Sequence, residues 1–260
     1  HLIASRENVG FAAANNIAAE RARGKYVLLL NPDTVVFDEA ITRLVEFAEK
    51  NPAAGIWGGR TLHGDGRLDP TSCWRRMTVW SQLCISTGAA YAFKNTSLFN
   101  AEGYSERDVS SVRHVDIVTG CLLLIETALW QRLGGFDPVF FMYGEDADLC
   151  LRAQRLGARP MITPAATIIH YGGASDTIRV DKLVKLLKAR MTLMRRHWSA
   201  LERRMVRPLA LLEPLSRMIA FGVLHRMRPS EALRSKRDVW RDVWARRREW
   251  TKGFDEPGIV

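Results

Sequence analysis

Residues 25–33, KYVLLLNPD, decide the fold. Val27, Leu28, Leu29 and Leu30 form a continuous apolar run, the pattern of a strand covered on both faces in a parallel sheet. Asn31-Pro32 stops it, because Pro32 has no N–H for a sheet ladder and biases Asn31 toward extended geometry. Asp33 is thereby presented at the carboxyl end of a central strand, where open α/β sheets bind their ligands. A carboxylate there suits a hard cation that holds a diphosphate. It equally suits a turn, or a cap on the helix expected from Asp38, and this stretch alone leaves both readings open.

Upstream, His1–Ser5 reads as the end of a short strand, and Phe11–Arg23, rich in alanine, as a helix stopped by Gly24. Downstream, Asp38–Lys50 places Ile41, Leu44, Val45 and Ala48 on one helical face, and Asn51-Pro52 ends it. Ile56-Trp57-Gly58 is a short strand. This alternation predicts a mostly parallel sheet with right-handed crossovers, flanked by helices. Residues 60–114 are rich in glycine and aromatic residues and read as a long excursion over the sheet. Asp116–Ile125, DIVTGCLLLI, resumes strand character around Gly120. Glu126–Leu133 and Asp146–Leu156 read as helices, and Arg159–Ile162 and Ala166–His170 as short strands.

The chain has 260 residues and is 47% hydrophobic, which supports a large core and argues against global disorder. Cys73, Cys84, Cys121 and Cys150 form no CxxC pair, which argues against a zinc site and fits a reducing, cytoplasmic compartment. The chain begins at His1 without a signal peptide, and reads as a fragment that lacks its start. No uncharged apolar run of about 18 residues predicts a spanning helix.

Charge is uneven. Residues 179–252 hold 21 Lys and Arg against 7 Asp and Glu, a balance of +14, whereas residues 1–178 balance at −2. A basic tail of this kind suggests a polyanionic partner. Val180, Leu183, Leu187, Met191, Met194 and Trp198 form a stripe at helical spacing, read first as core and second as a membrane-docking face. Residues 205–225 are apolar but interrupted by Pro208, Glu213, Pro214 and Arg217. They suit a membrane interface rather than a bilayer crossing. Trp240, Trp244 and Trp250 sit among arginines. The expected division is a catalytic domain over 1–178 and a basic helical extension over 179–260.

Four motifs occur in order: ENVGFAAANN (7–16), Asn31-Pro32-Asp33, GGFDPVFFMYGEDADLCLRAQRLG (134–157) and TPAATIIHYGG (163–173). Together they resemble the inverting family 2 glycosyltransferases of the GT-A fold, in the rhamnosyl- and galactofuranosyl-transferase branch. The resemblance covers roughly residues 1–198. It implies transfer of a sugar, L-rhamnose from dTDP-rhamnose or a hexose from a UDP donor such as UDP-galactofuranose. The acceptor is a saccharide or a lipid-linked saccharide, in cell-surface polysaccharide synthesis.

The resemblance also implies roles. Asp33 and His170 would hold Mg²⁺ or Mn²⁺. The family's usual Asp-x-Asp has Asn31 in its first place, a neutral ligand or a contact to donor sugar or ribose. Gly10, Asn15 and Gly120 would contact the donor, and Glu145 and Tyr143 the acceptor. Asp146 would be the base, with Glu145 beside it in the catalytic pair. The residues alone give a plainer account: three acids, Glu145, Asp146 and Asp148, in the first turn of a helix whose N-terminus favours carboxylates. Capping needs fewer than three, and adjacent carboxylates raise one another's pKa, which helps a base. Asp148 reads as structural.

The family's base-gripping first strand is absent from this sequence. Peripheral contact with an anionic membrane at its inner face and a homo-oligomer through the C-terminal helices are the further expectations. A non-catalytic, basic membrane-surface protein is the reading from another class. Nucleic acid is disfavoured, because the basic residues lie among Leu and Trp on helices rather than on an aromatic-bearing sheet.

Overall fold

A computed structural model describes residues 1–171 and 180–256. In chain order the elements are α1 (Phe11–Ala19), β1 (Tyr26–Leu30), β2 (Thr34–Val36), α2 (Ala40–Lys50), β3 (Ile56–Leu62), β4 (Cys73–Trp74), α3 (Val79–Thr87), α4 (Ala89–Ala92), α5 (Glu106–Val109), β5 (Arg113–His114), β6 (Ile117–Val118), β7 (Leu122–Glu126), α6 (Thr127–Leu133), α7 (Glu145–Arg155), β8 (Met161–His170), α8 (Val180–His197), α9 (Ala200–Met227), α10 (Glu231–Ala245) and α11 (Arg247–Trp250). Gly172 and Gly173, the end of the fourth motif, lie outside the described residues.

The main sheet runs β1-β7-β3-β8-β2, with β5 added to β8. Only β3 and β8 pair in parallel; β1–β7, β3–β7, β2–β8 and β5–β8 are antiparallel. The sheet is therefore mixed, not dominated by parallel pairs among the described strands. An apolar run reports that both faces are covered and says nothing of direction. β3 is the middle strand of this order; β7 beside it has Leu122, Leu123, Leu124 and Ile125 all buried, while β1 sits at one end with Leu30 exposed. His1–Ser5 forms no strand. Arg159–Ile162 and Ala166–His170 merge into β8. Helix α2 packs Ala40, Leu44 and Ala48 against Trp57, Leu124 and Ile168.

The contacts divide the chain into two units, and not at a single cut after residue 178: Met77–Glu102 groups with the C-terminal helices. A buried polar network explains this. Arg190 donates to both carboxylate oxygens of Glu102, each at 2.9 Å, and to Gln82 Oε1 at 3.0 Å. Gln82 Nε2 in turn donates to Ser86 Oγ and Glu213 Oε2, and Ser86 Oγ donates to the Leu209 carbonyl. An unpaired arginine there would be costly, so residues 77–102 belong with α8 and α9.

Within this unit Val184, Leu187, Ala210, Val243 and Trp250 form one core. The stripe of α8 and the last tail tryptophan are therefore packing residues, and Trp240 packs against the same core. α9 continues through Pro208 and Pro214, although each removes one hydrogen bond from the helix. No helix of the described residues is long and apolar enough to cross a membrane.

Candidate active site

β1 and β2 are joined by the three residues Asn31-Pro32-Asp33, so the turn itself becomes part of the site. Register fixes its partner: Thr34 lies opposite His170 at the end of β8, and the Tyr171 N–H donates to the Asp33 carbonyl at 2.9 Å. Asp33 Oδ1 and His170 Nε2 are 3.2 Å apart. Asn31 Nδ2 lies 3.4 Å from His170 Nε2 and donates to Cys121 Sγ at 3.2 Å. Its Oδ1 is buried and has no hydrogen-bond partner.

These donors fit a divalent cation. Ligand bonds of about 2.1 Å at right angles put two donor atoms roughly 3 Å apart, close to the Asp33–His170 separation. The orphaned Asn31 oxygen adds a neutral donor to the same neighbourhood. No group of three or more His, Cys, Asp or Glu suited to a metal occurs among the described residues. Such a partial set suits a small hard cation that completes its shell with water and substrate phosphates.

Cys121 connects this corner to the acids. Burial pushes its thiol up to about 11, with the charges of Asp146 and Asp33 both adding to the rise. It is a neutral thiol next to Gly120, whose N–H donates to Asp146 Oδ2 at 3.0 Å. Asp146 Oδ1 accepts from the Ala147 N–H at 2.8 Å. Asp33, His170 and Asp146 thus converge, across 138 positions of sequence, through Asn31, Gly120 and Cys121.

Burial raises Asp146 above the ordinary carboxylate range, and the Gly120 and Ala147 N–H groups pull it back only in part. Glu145 is buried, its Oε2 lacks a partner, and burial followed by the Asp146 charge pushes it up to about 8. The pair titrates as a unit. Desolvation outweighs the helix N-terminus, which alone would lower both groups. A raised folded-state pKa makes Glu145 stabilising when protonated, fully so below its ordinary 4.5, with that contribution lost as pH rises toward 8. Glu145→Gln is therefore expected to melt higher than the wild type at pH 8, with the difference vanishing near pH 4. Melting curves at the two pH values check this, and an equal difference at both would refute it.

The frame around these acids is strained and close-packed. Tyr143 (φ 73°) and Gly144 (φ 88°) are successive left-handed residues that aim the first turn of α7. Gly10 (φ 83°) abuts the Phe141 carbonyl, where a Cβ would collide, and the Phe11 N–H donates to that carbonyl at 2.9 Å. Gly120 differs: a Cβ there would make ordinary contacts with Phe11 and Asp146, so the protein itself does not demand glycine. Asn15 is half-buried and donates to the Phe11 carbonyl of its own helix.

Three supporting residues carry no role read from the sequence, although two of them lie inside the motifs. Asn16 exchanges two 2.9 Å hydrogen bonds with the backbone of Phe136, tying α1 to the loop before α7. Arg152 binds Asp148 at 2.6 Å and the carbonyls of Leu133 and Gly135, which gives Asp148 its structural role. Cys121 is the third.

Residues 1–113 match the family described as glycosyl transferase family 2. The match covers the first 113 of the chain's 260 residues. Rhamnosyltransferase WbbL of Escherichia coli (strain K12) is 29% identical over 171 residues, 62% of this chain and 61% of its own length. The N-acetylglucosaminyl-diphospho-decaprenol L-rhamnosyltransferase of Mycobacterium tuberculosis (strain ATCC 25618 / H37Rv) is 29% identical over 146 residues, 56% of this chain and 47% of its own. This chain thus spans only part of either relative. A mannosyltransferase from Pyrobaculum calidifontis, solved with GDP-Man and Mn²⁺, aligns with a TM-score of 0.52 at 16% identity, over 97% of this chain and 70% of that one. The chain has the GT-A fold, and the candidate site lies at the β1–β2 turn, the end of β8, the segment before β7 and the first turn of α7.

Proposed function

We propose that this chain transfers a sugar from a nucleotide diphosphate donor to a hydroxyl of a saccharide or lipid-linked acceptor, with inversion, in cell-surface polysaccharide synthesis. The observation that carries the reading is the joining of a desolvated Asp146 to the Asp33–His170 pair through Gly120 and Cys121. Sugar transfer needs a base for the incoming hydroxyl and a charge acceptor for the leaving diphosphate.

Asp33 and His170 would hold Mg²⁺ or Mn²⁺, with Asn31 beside them. The bound cation supplies charge neutralisation to the leaving diphosphate. Asp146 takes the acceptor proton as the hydroxyl oxygen bonds to the anomeric carbon, and the bond from that carbon to the diphosphate breaks on the opposite face. The Gly120 and Ala147 N–H groups orient the carboxylate. Glu145 and Tyr143 face the acceptor, and Gly10 and Asn15 border the donor. dTDP-rhamnose is the favoured donor, supported by the two relatives named as rhamnosyltransferases. UDP-galactofuranose or another UDP-hexose is the alternative. Peripheral contact with an anionic membrane belongs to the same reading.

A donor at about 100 times its Kd contributes about 2.7 kcal/mol, which for a chain of this size raises Tm by roughly 5 °C. dTDP-rhamnose or a UDP-hexose with Mn²⁺ is expected to give that rise, EDTA to abolish it, and DNA to give none. A rise with DNA and with no nucleotide sugar would favour the non-catalytic reading.

A further inference from the structure

With the stripe of α8 and Trp250 in the core, the exposed apolar surface of the C-terminal helices lies elsewhere. Leu201, Met205, Leu212, Ile219 and Val223 of α9 are between 36% and 69% exposed. At 100° per residue they fall within an arc of about 40°. Met227, about 40° beyond this arc, extends the row, which runs for roughly 39 Å. The buried residues of α9, Val206, Ala210, Glu213 and Pro214, lie at about 120–220° from Leu201, off the row. An apolar row of this length on a water-facing helix marks an interaction surface.

The charges say what covers it. Arg203, Arg204, Arg207, Arg226 and Arg228 are exposed on or beside α9. Arg204 and Arg226 project next to the row, and among the described residues Arg204, Arg207, Arg226 and Arg228 form no ion pair. The two acids of α9 are both occupied elsewhere: Glu202 accepts from Ser199 at the helix start, and Glu213 is buried against Gln82. A two-fold pairing of α9 with a second copy would bring Arg204 near Arg226 of the other chain, with no carboxylate to separate them. An anionic surface has the complementary charge.

We propose that α9 is an interfacial helix, its row of Leu201, Met205, Leu212, Ile219 and Val223 lying in the headgroup region of an anionic lipid surface with the flanking arginines on phosphates. This deepens the membrane contact of the proposed function, and the contact requires no sugar transfer.

The test is flotation of the full chain with mixed phosphatidylcholine–phosphatidylglycerol vesicles and with pure phosphatidylcholine vesicles. The wild type is expected to float with the mixed vesicles only. Replacing Leu201, Met205, Ile219 and Val223 together by Gln should weaken binding at least about tenfold, as should Arg204, Arg207, Arg226 and Arg228 to Gln. Ile219→Asp, a single change at an exposed position, should act in the same direction if the multiple variant fails to fold. Donor-induced Tm shifts should be unchanged in all three, which separates failure of this surface from failure of the catalytic reading. Unchanged flotation in the variants overturns the proposal. So does a wild-type dimer that the Gln variant converts to monomer while vesicle binding stays the same.

Discussion

Asp146→Asn is expected to lower turnover by on the order of 10²- to 10⁴-fold while donor affinity changes little. The substitution keeps the shape of the side chain and removes its basicity. It also alters the setting, because an amide offers one acceptor where the carboxylate has two. Either the Gly120 or the Ala147 N–H then faces an NH₂ group. That costs about 1–3 kcal/mol of stability, so Tm should be measured beside turnover to separate the two effects. The base must be unprotonated to act. Because burial raises the Asp146 carboxyl, the acidic limb of the pH–rate profile is expected above the ordinary carboxylate range, with activity rising as pH rises. The limb belongs to the Glu145–Asp146 pair rather than to one group. Retention of more than about a tenth of wild-type turnover would remove Asp146 from the role of base.

The site was more legible than the sheet. Sequence pattern put a carboxylate after a strand at Asp33 and an acid pair at a helix start, the family resemblance singled out His170, and the structure links the three through Gly120 and Cys121. The direction of the strands was hidden, because burial of both faces produces the same apolar run in either orientation. Helical phase distinguishes Asn16 from Asn15. Asn16 stands four residues after the buried Ala12 and faces inward, whereas Asn15 bonds its own helix. Cys121 left no signal, since a lone cysteine in a strand reads as a small apolar residue. The apolar stripe of α8 was equally consistent with core and with a lipid-facing surface, and only the packing of α10 and α11 against it decides for core. The glycine and aromatic content of residues 77–102 reads as an excursion over the sheet, and their membership in the C-terminal unit depends on Glu102, Gln82 and Ser86 meeting α8 and α9.

Asp33→Ala is expected to reduce metal-dependent turnover by roughly 10²- to 10³-fold, the rate equivalent of about 3–4 kcal/mol of lost charge stabilisation. His170→Ala should cost less, because it removes a neutral ligand, and part of its loss should return at high Mn²⁺. A competing account fits the 3.2 Å contact as well: Asp33 and His170 form a local ion pair that braces β2 against β8. The two accounts diverge in a double-mutant cycle. If both side chains bind one ion, the doubly substituted chain loses little more turnover than Asp33→Ala alone, since the second substitution acts on an ion already lost. Apparent Mn²⁺ affinity, measured by calorimetric titration in the presence of donor, should fall in each single variant. If the pair only braces the sheet, each variant lowers Tm while the Mn²⁺ dependence of turnover stays at the wild-type midpoint. Asp33 is half exposed, and an exposed pair contributes no more than about 1 kcal/mol, so a brace alone predicts a small change in Tm and a small change in rate. A hundredfold loss of turnover with Tm nearly unchanged is therefore the result that assigns Asp33 to the cation.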